Sequence, residues 1–297
     1  MISFYLFLGF EKLLMLLPHS WRKALFLGLA RVAFHIDRKH RRIIRQNMRF
    51  VYGDDVDKTF VNEVGLYGFQ SLALNFLYTI EGRYITLEEL RKKVTFENIE
   101  YVEKAQAEGR PIVFVTAHYG EWELIGSATS AFLEPIMIIY KEMANPDFQE
   151  YLLGSRAKFR MSYAERHGAL KALVKQMRAK KSTALLIDTN IRKRDGTIVD
   201  FLGKPTRQIT TPAFLGRKFN AALIPGIAYT DDHEHYTIKF FPEIEMQKTE
   251  DEKADINDAT QKMTDWLTEV IYDDPKYWFW MHRRWKTDYP EIYRSKD

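Results

Sequence analysis

Short apolar runs, each cut off by a polar residue, recur through the middle of this chain. Residues 112–116 (IVFVT), 136–140 (IMIIY) and 183–187 (TALLI) are almost wholly aliphatic, β-branched or aromatic. Runs of this length without alternation read as strands buried on both faces. Residues 221–229 and 237–241 read as two more. Between them the apolar period becomes helical. Phe60, Val64, Tyr67, Leu72, Phe76 and Leu77 place a long helix over 58–80, and Leu170, Leu173, Val174 and Met177 mark one over 168–180. Further helices are expected over 98–108, closed by Gly109, over 147–160 and over 256–272. Short strands with intervening helices predict an α/β fold, a mixed central sheet flanked by helices.

The first 50 residues follow another pattern. Residues 1–10 carry no charged side chain, 13–17 are apolar up to Pro18, and 24–36 are apolar apart from Arg31. Seventeen helical residues span about 25 Å, short of the ~30 Å hydrocarbon core of a bilayer. No signal peptide is expected, for there is no basic n-region and no small-x-small cleavage site. The segment reads as an apolar helix lying in a membrane interface, or as one docked on the protein's own core. Arg38, Arg42, Arg45 and Arg49 then recur at helical spacing as a basic stripe. Such a stripe is a solvated face, or it meets nucleic acid or an anionic membrane surface. Apolar segments upstream favour the membrane, and with no nucleic-acid module in the chain no nucleic-acid partner is expected. The chain therefore divides into a membrane-associating helical region, 1–50, and an α/β domain, 51–297.

Composition narrows the chemistry. Of 297 residues 46% are hydrophobic and 28% charged, enough apolar material for a substantial core. The absence of cysteine excludes disulfides, Cys-ligated zinc, iron–sulfur clusters and a thiol nucleophile. There is no P-loop, no dinucleotide fingerprint and no H-E-x-x-H, so neither a nucleotide cofactor nor a metal is expected.

The densest chemistry lies in GRPIVFVTAHYGEWELIG, residues 109–126. His118 follows a buried strand, Tyr119-Gly120 makes a turn, and Glu121 and Glu123 open a helix. Ligands of open α/β sheets bind at such strand ends. The helix start adds oriented N–H groups suited to a developing oxyanion. A carboxylate at Glu123 can reach His118, fix its tautomer and make the other ring nitrogen a general base. The competing reading is a histidine satisfied by local backbone, with acids that only complement the helix dipole.

AHYGEWEL resembles the H-x4-[D/E] motif of the lipid A late acyltransferases, usually close to H-[FY]-G-N-W-E, with Glu121 here in place of Asn. The likeness continues along the chain. Tyr140-Lys141 with Asn145-Pro146 stands where the family has Tyr-Arg and Asn-Pro. Arg156 matches an arginine of an R-x-R-x-G stretch in which Arg160 replaces the Gly. Asp188 stands at an Asp-Gln position, here Asp188-Thr189-Asn190, and otherwise reads as a turn cap. VDFLG at 199–203, Thr210-Thr211-Pro212 and the terminal aromatic–cationic run at 277–286 also match. That last run, read alone, suits an interface between lipid tails and phosphates.

The resemblance implies a glycerol-phosphate acyltransferase fold and transfer of an acyl chain from acyl carrier protein to a hydroxyl of a Kdo-bearing lipid A precursor. It implies His118 and Glu123 as the catalytic pair. It makes Arg156, Asp188, Lys141, Arg283, Arg284 and Lys286 the substrate-binding set, and it places the enzyme at the cytoplasmic face of the inner membrane. Rival readings are a glycolipid acyltransferase with another acceptor, such as phosphatidylinositol mannoside, a metal hydrolase using His118 with the nearby acids, and a peripheral membrane scaffold.

Overall fold

The computed structural model of the protein describes residues 2–294. It opens with α1 (Ile2–Met15), α2 (His19–Ile36), α3 (Arg38–Tyr52) and α4 (Lys58–Glu81). Pro18 stands between the first two helices, where its fixed φ suits a helix entry. Asp37 accepts from the His40 N–H and Asp57 from the Phe60 N–H, so each carboxylate caps the helix that follows it. After α5 (Leu87–Lys93), which begins with a Thr86/Glu89 capping box, come β1 (Val94–Glu97), α6 (Glu100–Ala107), β2 (Ile112–Thr116), α7 (Trp122–Phe132), β3 (Ile136–Tyr140), α8 (Pro146–Arg156), β4 (Ser162–Glu165), α9 (Ala169–Arg178) and β5 (Ser182–Leu186). A hairpin, β6 (Thr197–Phe201) with β7 (Lys204–Gln208), precedes α10 (Thr211–Phe219), β8 (Ala222–Tyr229), β9 (Tyr236–Phe240) and α11 (Glu252–Asp273).

Seven strands form one sheet in the order β1-β9-β8-β2-β5-β3-β4. All neighbours are parallel except β8 and β9. The five strands expected from apolar runs are all present. The edge strands β1 and β4 escape a hydrophobicity reading because each has four residues and a half-exposed, partly polar sequence. β2 lies at the centre, and its side chains divide by the strand period. Ile112 and Phe114 enter the core beneath α6 and α7. Val113 and Val115 enter the opposite core, which also contains Met263 and Leu267 of α11. Ala30, Phe34, Ile44 and Met48 of α2 and α3 belong to that same cluster.

Among the described residues no helix is long and apolar enough to cross a membrane. α1 docks through one face: Phe7 meets Tyr151 at 5.0 Å, and Leu14 is buried with Leu74 and Leu77 of α4. Its other face leaves Leu6 and Leu13 exposed, as is Leu16 just after it. Trp21, Leu25, Leu29, Val32 and Ile36 form an outward stripe on α2, joined by Leu72 and Phe76 of α4. The terminal segment is thus docked on the protein's own core on one side and apolar to the outside on the other.

The turn from β2 into α7 is wedged against β8. Gly120 has φ +56°, and a Cβ there would lie 1.9 Å from the Ala228 carbonyl oxygen. Both the dihedral and the contact demand glycine. Gly120→Ala should lower unfolding free energy by more than about 2 kcal/mol, measured by chemical denaturation.

Candidate active site

The parallel register of β2 and β5 sets Thr116 opposite Leu186. Two residues further along each strand stand His118 and Asp188, so the register itself brings them together. His118 Nδ1 lies 2.9 Å from Asp188 Oδ1, and the His118 backbone N–H donates to Oδ2 at 2.9 Å. Trp278 Nε1 donates to Oδ2 at 3.0 Å. The carboxylate is 4% exposed. Burial alone would raise its pKa, but the His118 charge and the hydrogen bonds from His118 and Trp278 outweigh burial and hold it at about 2. Burial likewise opposes a charged imidazole, yet the charge and hydrogen bond of Asp188, helped by the charge of Glu123, raise the His118 pKa above its ordinary value. With Nδ1 engaged by a carboxylate, Nε2 is the nitrogen that carries the basic lone pair. The rings of Trp122 and Phe279 flank the imidazole at 5.3 and 6.0 Å.

The hydrogen bond expected between His118 and Glu123 is therefore made by Asp188. Glu123, in the first turn of α7, is held by Arg156 at the end of α8. The physical reason is level and direction: Asp188 ends the neighbouring strand at the same height as His118, whereas Glu123 leaves the turn towards α8. Arg156, expected to face substrate, thus has a protein carboxylate as partner. Glu121 is 2% exposed, and burial, then the neighbouring charge of Glu123, push its pKa well above the usual carboxylate range.

Trp122 also roofs a narrow apolar cavity of about 50 Å³ between α7 and the sheet. Thr116, Ile125, Gly126, Ile138 and Phe240 line it. Trp122 thus stands between this slot and His118, and an imidazole that near an apolar slot suits chemistry on a group carrying a hydrocarbon chain.

Comparison with known proteins agrees. The profile of the family described as "Bacterial lipid A biosynthesis acyltransferase" matches residues 1–287. The chain belongs to this family. It is 22% identical over 291 residues to a lipid A biosynthesis acyltransferase of Haemophilus influenzae, covering 96% of this chain and 90% of the relative. It is 20% identical over 289 residues to the lipid A biosynthesis lauroyltransferase of Escherichia coli, covering 95% and 91%. A phosphatidylinositol mannoside acyltransferase of Mycobacterium tuberculosis is 20% identical over 202 residues, 67% of this chain and 62% of the relative.

In this acyltransferase the terminal aromatic–cationic run is not a lipid-facing surface. Trp278, Trp280 and Trp285 are fully buried, and the segment straps the back of the site. The Phe279 N–H donates to the His118 carbonyl at 2.9 Å, and the Gly120 N–H to the Tyr277 carbonyl at 2.9 Å. Arg284, expected to meet substrate anions, is 1% exposed. It donates to the Arg207 carbonyl at 2.8 Å and to Gln208 Oε1 at 2.7 Å, tying down the β6–β7 hairpin, and burial lowers its pKa to about 10. Arg283 is half-buried over the Tyr293 ring, and Lys286 and Lys141 are exposed. His282 accepts the Asn190 N–H at Nε2 over 2.9 Å and so steadies the loop after Asp188. Trp278, Phe279 and His282 were legible as a motif but not as supports of His118.

The electrostatics give a direct test. The His118 imidazole should titrate above an ordinary histidine in an NMR pH series. Asp188→Asn removes the charge that raises it and leaves the burial that lowers it, so the titration should move to lower pH. If the base must be neutral, the acid limb of turnover should move the same way.

Proposed function

We propose that the protein transfers a fatty acyl chain from the thioester of acyl carrier protein to a hydroxyl of a Kdo-bearing lipid A precursor, at the cytoplasmic face of the inner membrane. The observation that carries this reading is the orientation of His118, with Nδ1 on a buried carboxylate and Nε2 left for substrate beside an apolar slot. Nε2 removes the proton of the acceptor hydroxyl as its oxygen attacks the thioester carbonyl. The tetrahedral oxyanion forms near the start of α7. There Asn75 Oδ1 already accepts the Glu123 N–H at 3.2 Å, so the Trp122 N–H is the donor left for it. Collapse breaks the C–S bond, and the imidazolium returns its proton to the departing thiolate. Asp188 stabilises the imidazolium directly and Glu123 at longer range. Arg156 holds Glu123 in place through their ion pair. The cavity is below the ~300 Å³ of an ordinary ligand site, so chain entry has to displace lining side chains such as Ile125 and Ile138. A mycobacterial phosphatidylinositol mannoside acyltransferase stands among the relatives, which makes another glycolipid acceptor the second reading.

His118→Ala should cut kcat by about 10²–10⁴ with thermal unfolding little changed, because a positioned base acts mainly in the transition state. Glu123→Gln and Arg156→Lys should each lower kcat less than His118→Ala does, and a chelator should leave the rate alone. Near-wild-type turnover by folded His118→Ala would remove the base from this mechanism. Lipid A mass spectrometry of cells lacking the gene decides the acceptor: an under-acylated precursor should accumulate.

The apolar stripe on α2 and the cations Arg38, Arg42 and Arg45 on α3 are the proposed membrane contact. A basic residue near an anionic surface contributes ~1 kcal/mol, screened by salt. The protein should sediment with anionic vesicles, and Trp21→Glu with Leu25→Glu should abolish this. Charge-neutralising the arginines should weaken it at low salt and matter progressively less as salt rises. Equal sedimentation of all variants would contradict the assignment.

A further inference from the structure

The turn that joins His118 to Glu123 is gripped from a helix distant in sequence. Asn75 lies in the middle of α4, a mostly apolar helix of 24 residues, and is 3% exposed. Its Nδ2 donates to the Gly120 carbonyl at 3.0 Å and to the Ser71 carbonyl at 3.0 Å. Its Oδ1 accepts the Glu123 N–H at 3.2 Å. Ser71 Oγ, one helical turn earlier, donates to the same Gly120 carbonyl at 3.0 Å. One primary amide thus spans the turn and holds both its ends. On the other flank the Gly120 N–H is bound by Tyr277 and the Glu121 N–H by the Ala228 carbonyl at 3.1 Å.

Few side chains can do this. The position needs a donor and an acceptor on one short planar group. An ionised aspartate supplies no donor, serine is too short to reach both, and glutamine adds a methylene. Asparagine is also a poor residue for a helix interior. An apolar residue would suit a buried site on α4 better if packing were the only demand. The hydrogen bonds account for its presence, and every one outside α4 goes to the turn that carries the reacting groups.

We propose that Asn75 is a positioning residue for acyl transfer, fixing the His118–Glu123 turn so that the base and the start of α7 keep one geometry. The proposal rests on the reading of His118 as the base, and its effect is on the chemical step. A small displacement of reacting groups costs as much as about 10²-fold in rate. Loss of the amide should therefore appear in kcat and leave KM for either substrate nearly unchanged.

The test uses the full-length protein in two arms. In the first, Asn75→Ala should lower kcat by about tenfold to a hundredfold with KM within about twofold. Ser71→Ala, which leaves Asn75 on the Gly120 carbonyl, should lose far less. Asn75→Asp keeps the acceptor for the Glu123 N–H but not the donor, so at neutral pH it should not rescue turnover. In the second arm, hydrogen exchange of the peptide covering residues 118–124 should be faster in Asn75→Ala than in wild type. Unchanged kcat with a folded protein, or a loss confined to KM, would overturn the proposal, as would unchanged exchange. A wild-type protein with no acyl transfer would overturn the functional reading instead. Because this proposal rests on that reading it would fall with it, and faster exchange in Asn75→Ala would tell the two failures apart by showing that the amide still holds the turn.

Discussion

Asp188 is a carboxylate withdrawn from solvent, and the rest of the site follows from how its charge is satisfied. An unpaired ion in such a place would cost several kcal/mol or would take up a proton. Here the imidazole of His118, the His118 peptide N–H and the indole N–H of Trp278 converge on its two oxygens. Each donor carries a structural demand. The peptide bond fixes where β2 ends relative to β5. The indole fixes the strap at 277–285 against the sheet. The ring bond fixes the histidine tautomer. The geometry of the candidate site and the tertiary packing are in this respect one arrangement.

Much of this was legible in the sequence. The buried strands, the helix expected over 58–80 and the turn after β2 follow from apolar period and glycine placement. The partner of His118 was misassigned because spacing along the chain shows only local reach. A partial signal was nonetheless present: IVFVT and STALL are each followed by one apolar residue and then by the polar residue of the pair. Parallel neighbours in register bring such positions together, but which strands are neighbours is not written in either. The aromatic–cationic run was misread for a related reason. Tryptophan and arginine suit a lipid interface and equally suit a core that can satisfy their N–H groups, and only the tertiary partners tell these apart. Asn75 gave no signal beyond being polar in an apolar helix.

Glu121 shows how a departure from a family pattern can be physically mild. The resemblance puts Asn at this position, and this chain has an acid whose pKa burial pushes well above the usual carboxylate range. In its neutral form a carboxylic acid shares planarity, one carbonyl acceptor and a donor with a carboxamide, though this acid is one methylene longer. Burial thus opposes a second charge beside Glu123, which retains Arg156 as its counter-ion.

The clasp between the two ends of the chain sets when the protein can first act. Asn47 of α3 donates to the Trp280 carbonyl at 2.7 Å and to the His282 carbonyl at 2.8 Å. A ribosome adds about 5–20 residues per second, so α3 and the strands leading to His118 and Asp188 wait from about five seconds to some tens of seconds for these partners. Until residues 277–285 emerge, Asp188 lacks its indole donor and the His118 loop lacks the strap that backs it. The growing polypeptide therefore completes α3 well before the segment that closes the back of the site reaches it.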